Sequence, residues 1–166
     1  MNAASECGRT ALRLASFHGH LAGVRELLSR SALVNAASKD GATSLFVAAQ
    51  VGHVDCVREL LARGAAVDVA AADGATPLYV AAQKGHIACV RELLACGAAV
   101  NMRRIGGWTP LMIASCRGET ACVRLLLEAG ADKHLVKDDG GTAHALAGAG
   151  KPATTTAIRA LLDAAP

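Results

Sequence analysis

The sequence predicts an all-α solenoid, a row of stacked helix–turn–helix units joined by short β-hairpins. Three recurrences predict it. A threonine returns every 33 residues, as Thr10, Thr43, Thr76, Thr109 and Thr142. A glycine returns at the same interval as Gly19, Gly52, Gly85 and Gly118. A leucine pair does so as Leu27-Leu28, Leu60-Leu61, Leu93-Leu94 and Leu126-Leu127. A fixed period of this size marks one supersecondary unit copied and stacked, because a single copy cannot bury its own apolar face.

The third copy shows the unit best. Asp73-Gly74 is a turn signal, with glycine supplying backbone freedom. Thr76 is a good N-cap, and Pro77 takes the first helical position, where a missing N–H costs nothing. Leu78, Val80, Ala81 and Ala82 make a short helix of small residues that Gly85 ends. Ile87, Val90, Leu93 and Leu94 fall at helical spacing in a second helix, which Gly97 stops. Ala98-Ala99-Val100-Asn101 then leads on as an extended segment. Isolated helices below roughly 12–15 residues are marginal in water, so these two must be stacked on neighbours.

Read in order, the copies span about 6–38, 39–71, 72–104, 105–137 and 138–165, one domain over 1–166. The first has Ser31 where the others have Gly64, Gly97 and Gly130, as suits an outer unit with one unpartnered face. The second and third are the most regular. The fourth carries Trp108, Met112, Cys116 and Arg117, and Met102-Arg103-Arg104 precede it. The fifth slips out of register between Gly148 and Thr156. Pro152 and Thr154-Thr155-Thr156 predict a longer loop there, with a threonine capping a last helix to about Asp163. This copy reads as a terminal cap.

Composition narrows the function. Hydrophobic residues make up 52% but aromatics only 2%, so the core is built of Ala, Leu and Val in thin, closely packed helices. A net charge of +3 without a long basic run does not point to nucleic acid or an anionic membrane. No apolar run approaches the roughly 18–20 residues that span a bilayer. The N-terminal residues lack a basic segment followed by an apolar one, so cytoplasm, with the nucleus as alternative, is the expected location.

Residues capable of chemistry fall into the repeat pattern. Cys56, Cys89 and Cys122 share one position of the second helix. Stacked helices lie about 8–10 Å apart, and a disulfide needs Cα atoms within about 7 Å, so these are read as buried thiols. Cys7, Cys96 and Cys116 fall at other phases, and no base accompanies them. Gly150-Lys151 is no phosphate loop, since Ala145 and Pro152 occupy places that need glycine and a hydroxyl. His18-Gly19-His20 has no third ligand at a metal-binding spacing. Arg25, Arg58, Arg91 and Arg124, with Glu26, Glu59 and Glu92 beside the first three, read as a solvated outer face with minor ion pairing. No enzyme motif, metal site or cofactor site survives.

Thr76-Pro77-Leu78 and Thr109-Pro110-Leu111, with Gly52-His53, Gly85-His86 and Gly130-Ala131-Asp132, resemble the ankyrin repeat and its Thr-Pro-Leu-His turn and helix. The resemblance covers nearly the whole chain. The signature histidine is replaced throughout, by Arg13, Phe46, Tyr79, Met112 and Ala145, so the hydrogen bond it supplies in the family is expected to be missing. His20, His53 and His86 resemble the family's structural histidine at the start of the second helix.

The resemblance implies a noncatalytic monomeric scaffold that binds a partner protein on a concave side, made by the hairpin tips and the first helices. Three alternatives are weighed beside it: the targeting part of a larger enzyme such as a ubiquitin-ligase receptor or a kinase, a small ankyrin kinase inhibitor, and a designed binder. Positions that differ between copies are those released from stacking. They nominate Arg9, Phe17, Phe46, Gln50, Tyr79, Gln83, Lys84, Arg103, Arg104, Trp108, Met112 and Arg117 as partner-binding residues. For Phe46, Tyr79 and Met112, packing and partner contact compete equally. Trp108, at a hairpin tip, is the leading candidate. Arg103, Arg104 and Arg117 around it predict a basic patch for an acidic or mixed acidic–apolar partner segment.

Overall fold

Each of the five threonines caps a helix. A computed structural model describes residues 10–165, and in it the side-chain oxygen of Thr10, Thr43, Thr76, Thr109 and Thr142 accepts the backbone N–H three residues on. These caps start α1 (Ala11–Phe17), α3 (Ser44–Val51), α5 (Pro77–Lys84), α7 (Pro110–Arg117) and α9 (Ala143–Leu146). After α1, α3, α5 and α7 the chain reverses and enters α2 (Leu21–Ser29), α4 (Val54–Ala62), α6 (Ile87–Ala95) and α8 (Thr120–Glu128). Gly52, Gly85 and Gly118 end α3, α5 and α7 in the left-handed conformation.

The core runs along the stack as rows of equivalent residues. Leu45, Leu78 and Leu111 are buried one behind another, as are Val57, Val90 and Val123, and Leu60, Leu93 and Leu126. Ala48, Ala81 and Ala114 let the first helices approach closely. Cys56, Cys89 and Cys122 lie buried as free thiols, and burial pushes Cys89 and Cys122 up to about 11.

Three ladders that use backbone groups tie the units. At the hairpin tips, Ala72 N donates to Asp40 O (2.8 Å), Ile105 N to Asp73 O (3.0 Å) and Asp138 N to Gly106 O (3.1 Å). Gly41 is required there: a Cβ in its place would fall 2.9 Å from Ala72 N. After the second helices, Asn35 accepts from Ala66 N (2.9 Å), Asp68 from Ala99 N (3.1 Å) and Asn101 from Asp132 N (2.9 Å). The third ladder uses histidine. His53 Nε2 bonds Phe17 O and His86 Nε2 bonds Gln50 O, each at 3.1 Å. A carbonyl only accepts, so Nε2 carries the proton.

The hairpins are shorter than the sequence suggests. Ser38 N donates to Ala42 O, Ala71 N to Ala75 O, Arg104 N to Trp108 O and Lys137 N to Gly141 O. With so little pairing on each arm, the tips are bridged turns rather than strands, and the bridges pair Arg104 with Trp108 and Val136 with Thr142.

The fifth unit departs most. α9 has a single turn, and Gly148 N and Gly150 N then bond Ser115 O (2.9 Å) and Cys116 O (2.6 Å) at the end of α7. A short 3-10 turn, Pro152–Thr154, precedes α10 (Thr155–Ala164). The expected threonine cap is not formed. Thr154 stands at that position, but its backbone is helical and its hydroxyl donates to Lys151 O (2.8 Å). Ile158 and Leu162 of α10 are buried, and α10 packs beside α8.

Candidate functional site

The C-terminal ends of α1, α3, α5 and α7 form a row, because each first helix stacks on the next in the same orientation. The row presents Phe17-His18, Gln50-Val51, Gln83-Lys84 and Cys116-Arg117. Its chemistry changes along the stack. Phe17 is 46% exposed, with the His18 ring edge-on to it at 5.1 Å, and Leu14 (43%) and Val51 (37%) extend the apolar end. Between α1 and α3 lies a cavity of about 200 Å³ lined by Arg13, Leu14, Phe17, His18, Val47 and Gln50. Arg13 is loosely compensated there, with Nη2 3.8 Å from Asp40 and Nε buried without a partner. Gln50 and Gln83 are half-buried in the middle of the row.

The other end is cationic. Lys84 and Arg117 are exposed and, among the described residues, in no ion pair. They close the last turns of α5 and α7, where the helix dipole favours a positive charge.

The structure divides the remaining candidates. Phe46, Tyr79 and Met112 are 7%, 3% and 1% exposed, so their area is spent on packing between neighbouring first helices. Arg9 lies outside the described residues. Trp108 is half-buried against the core rather than free at the tip, and the Lys137 ammonium sits 4.7 Å from its ring centre. The most exposed apolar residue of that tip is its neighbour Ile105, at 69%.

Two of the three arginines around that tip are engaged by neighbouring hairpins. Arg104 Nε donates to Asp73 Oδ2 at 2.8 Å, and its guanidinium lies 5.8 Å from the Tyr79 ring centre. Arg103 Nη2 donates to Val136 O at 2.6 Å and lies 3.7 Å from Asp138. Both arginines bind hairpins of adjacent units, Arg104 through a close carboxylate pair and Arg103 chiefly through a carbonyl. Burial alone would raise Asp73, but the hydrogen bonds from Arg104 and from Ala75 N–H hold its carboxyl below the usual range. Of the three arginines, Arg117 alone keeps its charge toward solvent without a carboxylate among the described residues.

Leu14 was missed by the sequence reading, whereas Val51 stands beside the nominated Gln50. Leu14 shares a repeat position with Val47, Val80 and Ile113, all buried, and is exposed because no earlier described unit covers it. The one sequence signal was its place in the first copy.

A family model described as ankyrin repeats (3 copies) matches residues 1–71 and, overlapping them, residues 64–138. A comparison with the curated proteins finds no match.

Proposed function

This chain belongs to the ankyrin-repeat family, whose repeats are protein-interaction modules, and from that premise we propose that it is a noncatalytic scaffold binding a partner protein along its concave row. One observation carries the reading. The two closing positions of the first helices read Phe17-His18 and Gln50-Val51 at the apolar end and Gln83-Lys84 and Cys116-Arg117 at the cationic end, while Ala15, Ala48, Ala81 and Ala114 in the same helices do not change. Residues freed from packing, yet graded in chemistry, suit recognition of a segment that is apolar at one end and acidic at the other.

The stacked units hold this surface before a partner arrives, so little ordering entropy opposes binding. Phe17 supplies the rigid aromatic anchor, and Gln50 and Gln83 supply hydrogen bonds to a partner backbone. Lys84 and Arg117 attract acidic side chains and speed the encounter. His53 and His86 hold backbone carbonyls, and Cys56, Cys89 and Cys122 are buried as thiols. Free buried thiols suit a reducing compartment, cytoplasm or nucleus, and the chain acts as one monomeric domain.

The test compares partner capture by the native chain, a Phe17→Ser/Arg117→Glu variant and an Arg103→Glu variant, all of verified helicity. Partners lost with the first variant and kept by the second support the row. Partners indifferent to Phe17 and Arg117 would remove it from the binding site.

A further inference from the structure

We propose that the outer face of the last units is a second docking surface, for an acidic amphipathic helix of a partner protein. It lies on the second helices, across the stack from the concave row, and is independent of that site. The observation behind it is an ion-pair ladder that stops half-way.

On α2, α4 and α6 the ladder is complete. Arg25 Nε donates to Glu59 at 2.8 Å and Arg58 Nε donates to Glu92 at 2.8 Å, each arginine reaching the glutamate one unit ahead. Charges within each helix close the network. Arg30 pairs with Glu26 (2.5 Å), Arg63 with Glu59 (3.1 Å) and Arg58 with Asp55 (3.2 Å). The Arg25 hydrogen bond holds Glu59 below the usual carboxylate range. This half of the outer face neutralises itself.

At the next rung the acid is gone. The position of Glu59 and Glu92 is taken by Leu125 on α8, so Arg91 has no carboxylate one unit ahead. Ala88 and Ala121 stand where Asp55 stood, and Cys96 and Ala129 where Arg30 and Arg63 stood. Arg91, Arg124 and, on α10, Arg159 are exposed and make no ion pair among the described residues. Glu128, one turn beyond Arg124, is the single acid on that part of α8, and it makes none either.

Beside Arg124 the surface is largely apolar. A groove of about 390 Å³ is lined by Arg124, Leu127, Glu128, Leu161, Ala164 and Ala165, where α8 meets α10. An arginine row without its acids, next to an apolar groove, matches a ligand carrying both carboxylates and apolar side chains. Successive second helices stack about 8–10 Å apart. A helix laid across them carries residues i and i+7 on one face about 10.5 Å apart, near that spacing. Carboxylates at those places would meet Arg91 and Arg124, with apolar residues over Leu125 between them and over Leu127 on the α10 side of Arg124. Three arginines one unit apart are too sparse a field for a nucleic-acid backbone or an anionic bilayer.

The test is selection of a displayed random-peptide library on the immobilised full chain, followed by titration of the enriched peptides against variants. Enriched acidic amphipathic peptides should bind about tenfold or more weakly to an Arg91→Glu/Arg124→Glu variant. They should bind the Phe17→Ser/Arg117→Glu variant unchanged, which separates this surface from the concave row. Leu125→Glu is the second variant. It installs the missing acid and completes the ladder as in Arg58–Glu92, so the protein stays folded while peptide binding falls. Peptides that ignore all three outer-face substitutions, or that depend on them without carrying acids, would overturn the proposal. So would binding to phosphatidylserine vesicles that is lost in the same variants.

Discussion

The interior units and the end units obey one sequence pattern but bury it differently. α5 buries six of its eight residues, including Leu78, Tyr79 and Val80, because α3 and α7 cover it on both sides. α1 buries only Leu12 and Ser16 of seven. Equivalent residues show the contrast directly, Val80 at 4% exposure against Leu14 at 43%. At the other end α9 shrinks to one turn, and a glycine loop bonded to α7 takes over its covering role. In a stack, burial is set by the number of neighbours more than by residue type, and stability is a sum of units and their interfaces.

The largest break in this comparison is removal of residues 138–166. It uncovers Leu126 and the last faces of α7 and α8, turning the fourth unit from interior to end. A loss of several kcal/mol is expected, or about 10 °C or more in Tm. Thermal unfolding followed by circular dichroism measures it, and an unshifted melt would deny the fifth unit its capping role.

Single cavities come next. Leu93→Ala, in the middle of the stack, should cost about 2–5 kcal/mol. Leu12→Ala, with the same burial, should cost less, since the first unit can open locally without the rest. Urea titration of both variants decides; equal losses would mean that the ends are as cooperative as the middle.

Acid should act on the tips of the inner units. Ser38 and the Ala42 N–H hold Asp40 below its ordinary value, and Arg104 does so for Asp73 against the effect of burial. A depressed folded-state pKa contributes stability above the unfolded value of about 4, and that stability is lost as pH falls through the folded value. The urea midpoint should therefore hold between pH 7 and 5 and decline below about 4. Asp73→Asn should lower it at pH 7 and flatten the decline; an undiminished acid slope in that variant would acquit Asp73.

The smallest effect is expected at the first unit. Ser31 is left-handed, with φ of 61°, where Gly64, Gly97 and Gly130 occupy the same turn in later units. No heavy atom stands within 4 Å of a Cβ at those glycines, so the turn penalises a side chain through backbone strain alone. Ser31→Gly should add up to about 1 kcal/mol and Gly97→Ser should remove a similar amount. Matched urea curves test the pair.

Much of this was legible in the residues. The threonine caps and the left-handed glycines that end the first helices are set within one unit, and the leucine rows follow from the repeat period, so the chain spells them out in order. The candidate site was legible only where stacking leaves a position alone. Phe17, Lys84 and Arg117 stayed on the surface as their phase implied. Phe46, Tyr79 and Met112 did not, because the neighbouring first helices close over them.

The repeat, its helices, the caps that start them and the cysteines' phase follow from residues a few places apart in the chain. Which equivalent positions face solvent, and which charges are left unpaired, emerged only when the units packed. Asp73 reaches Arg104, Lys137 covers Trp108 and His53 holds Phe17 O, contacts between residues about one unit apart. Whether a side chain is free depends on what the next unit sets against it. That is a property of the stack, formed when the units pack, and no copy contains it alone.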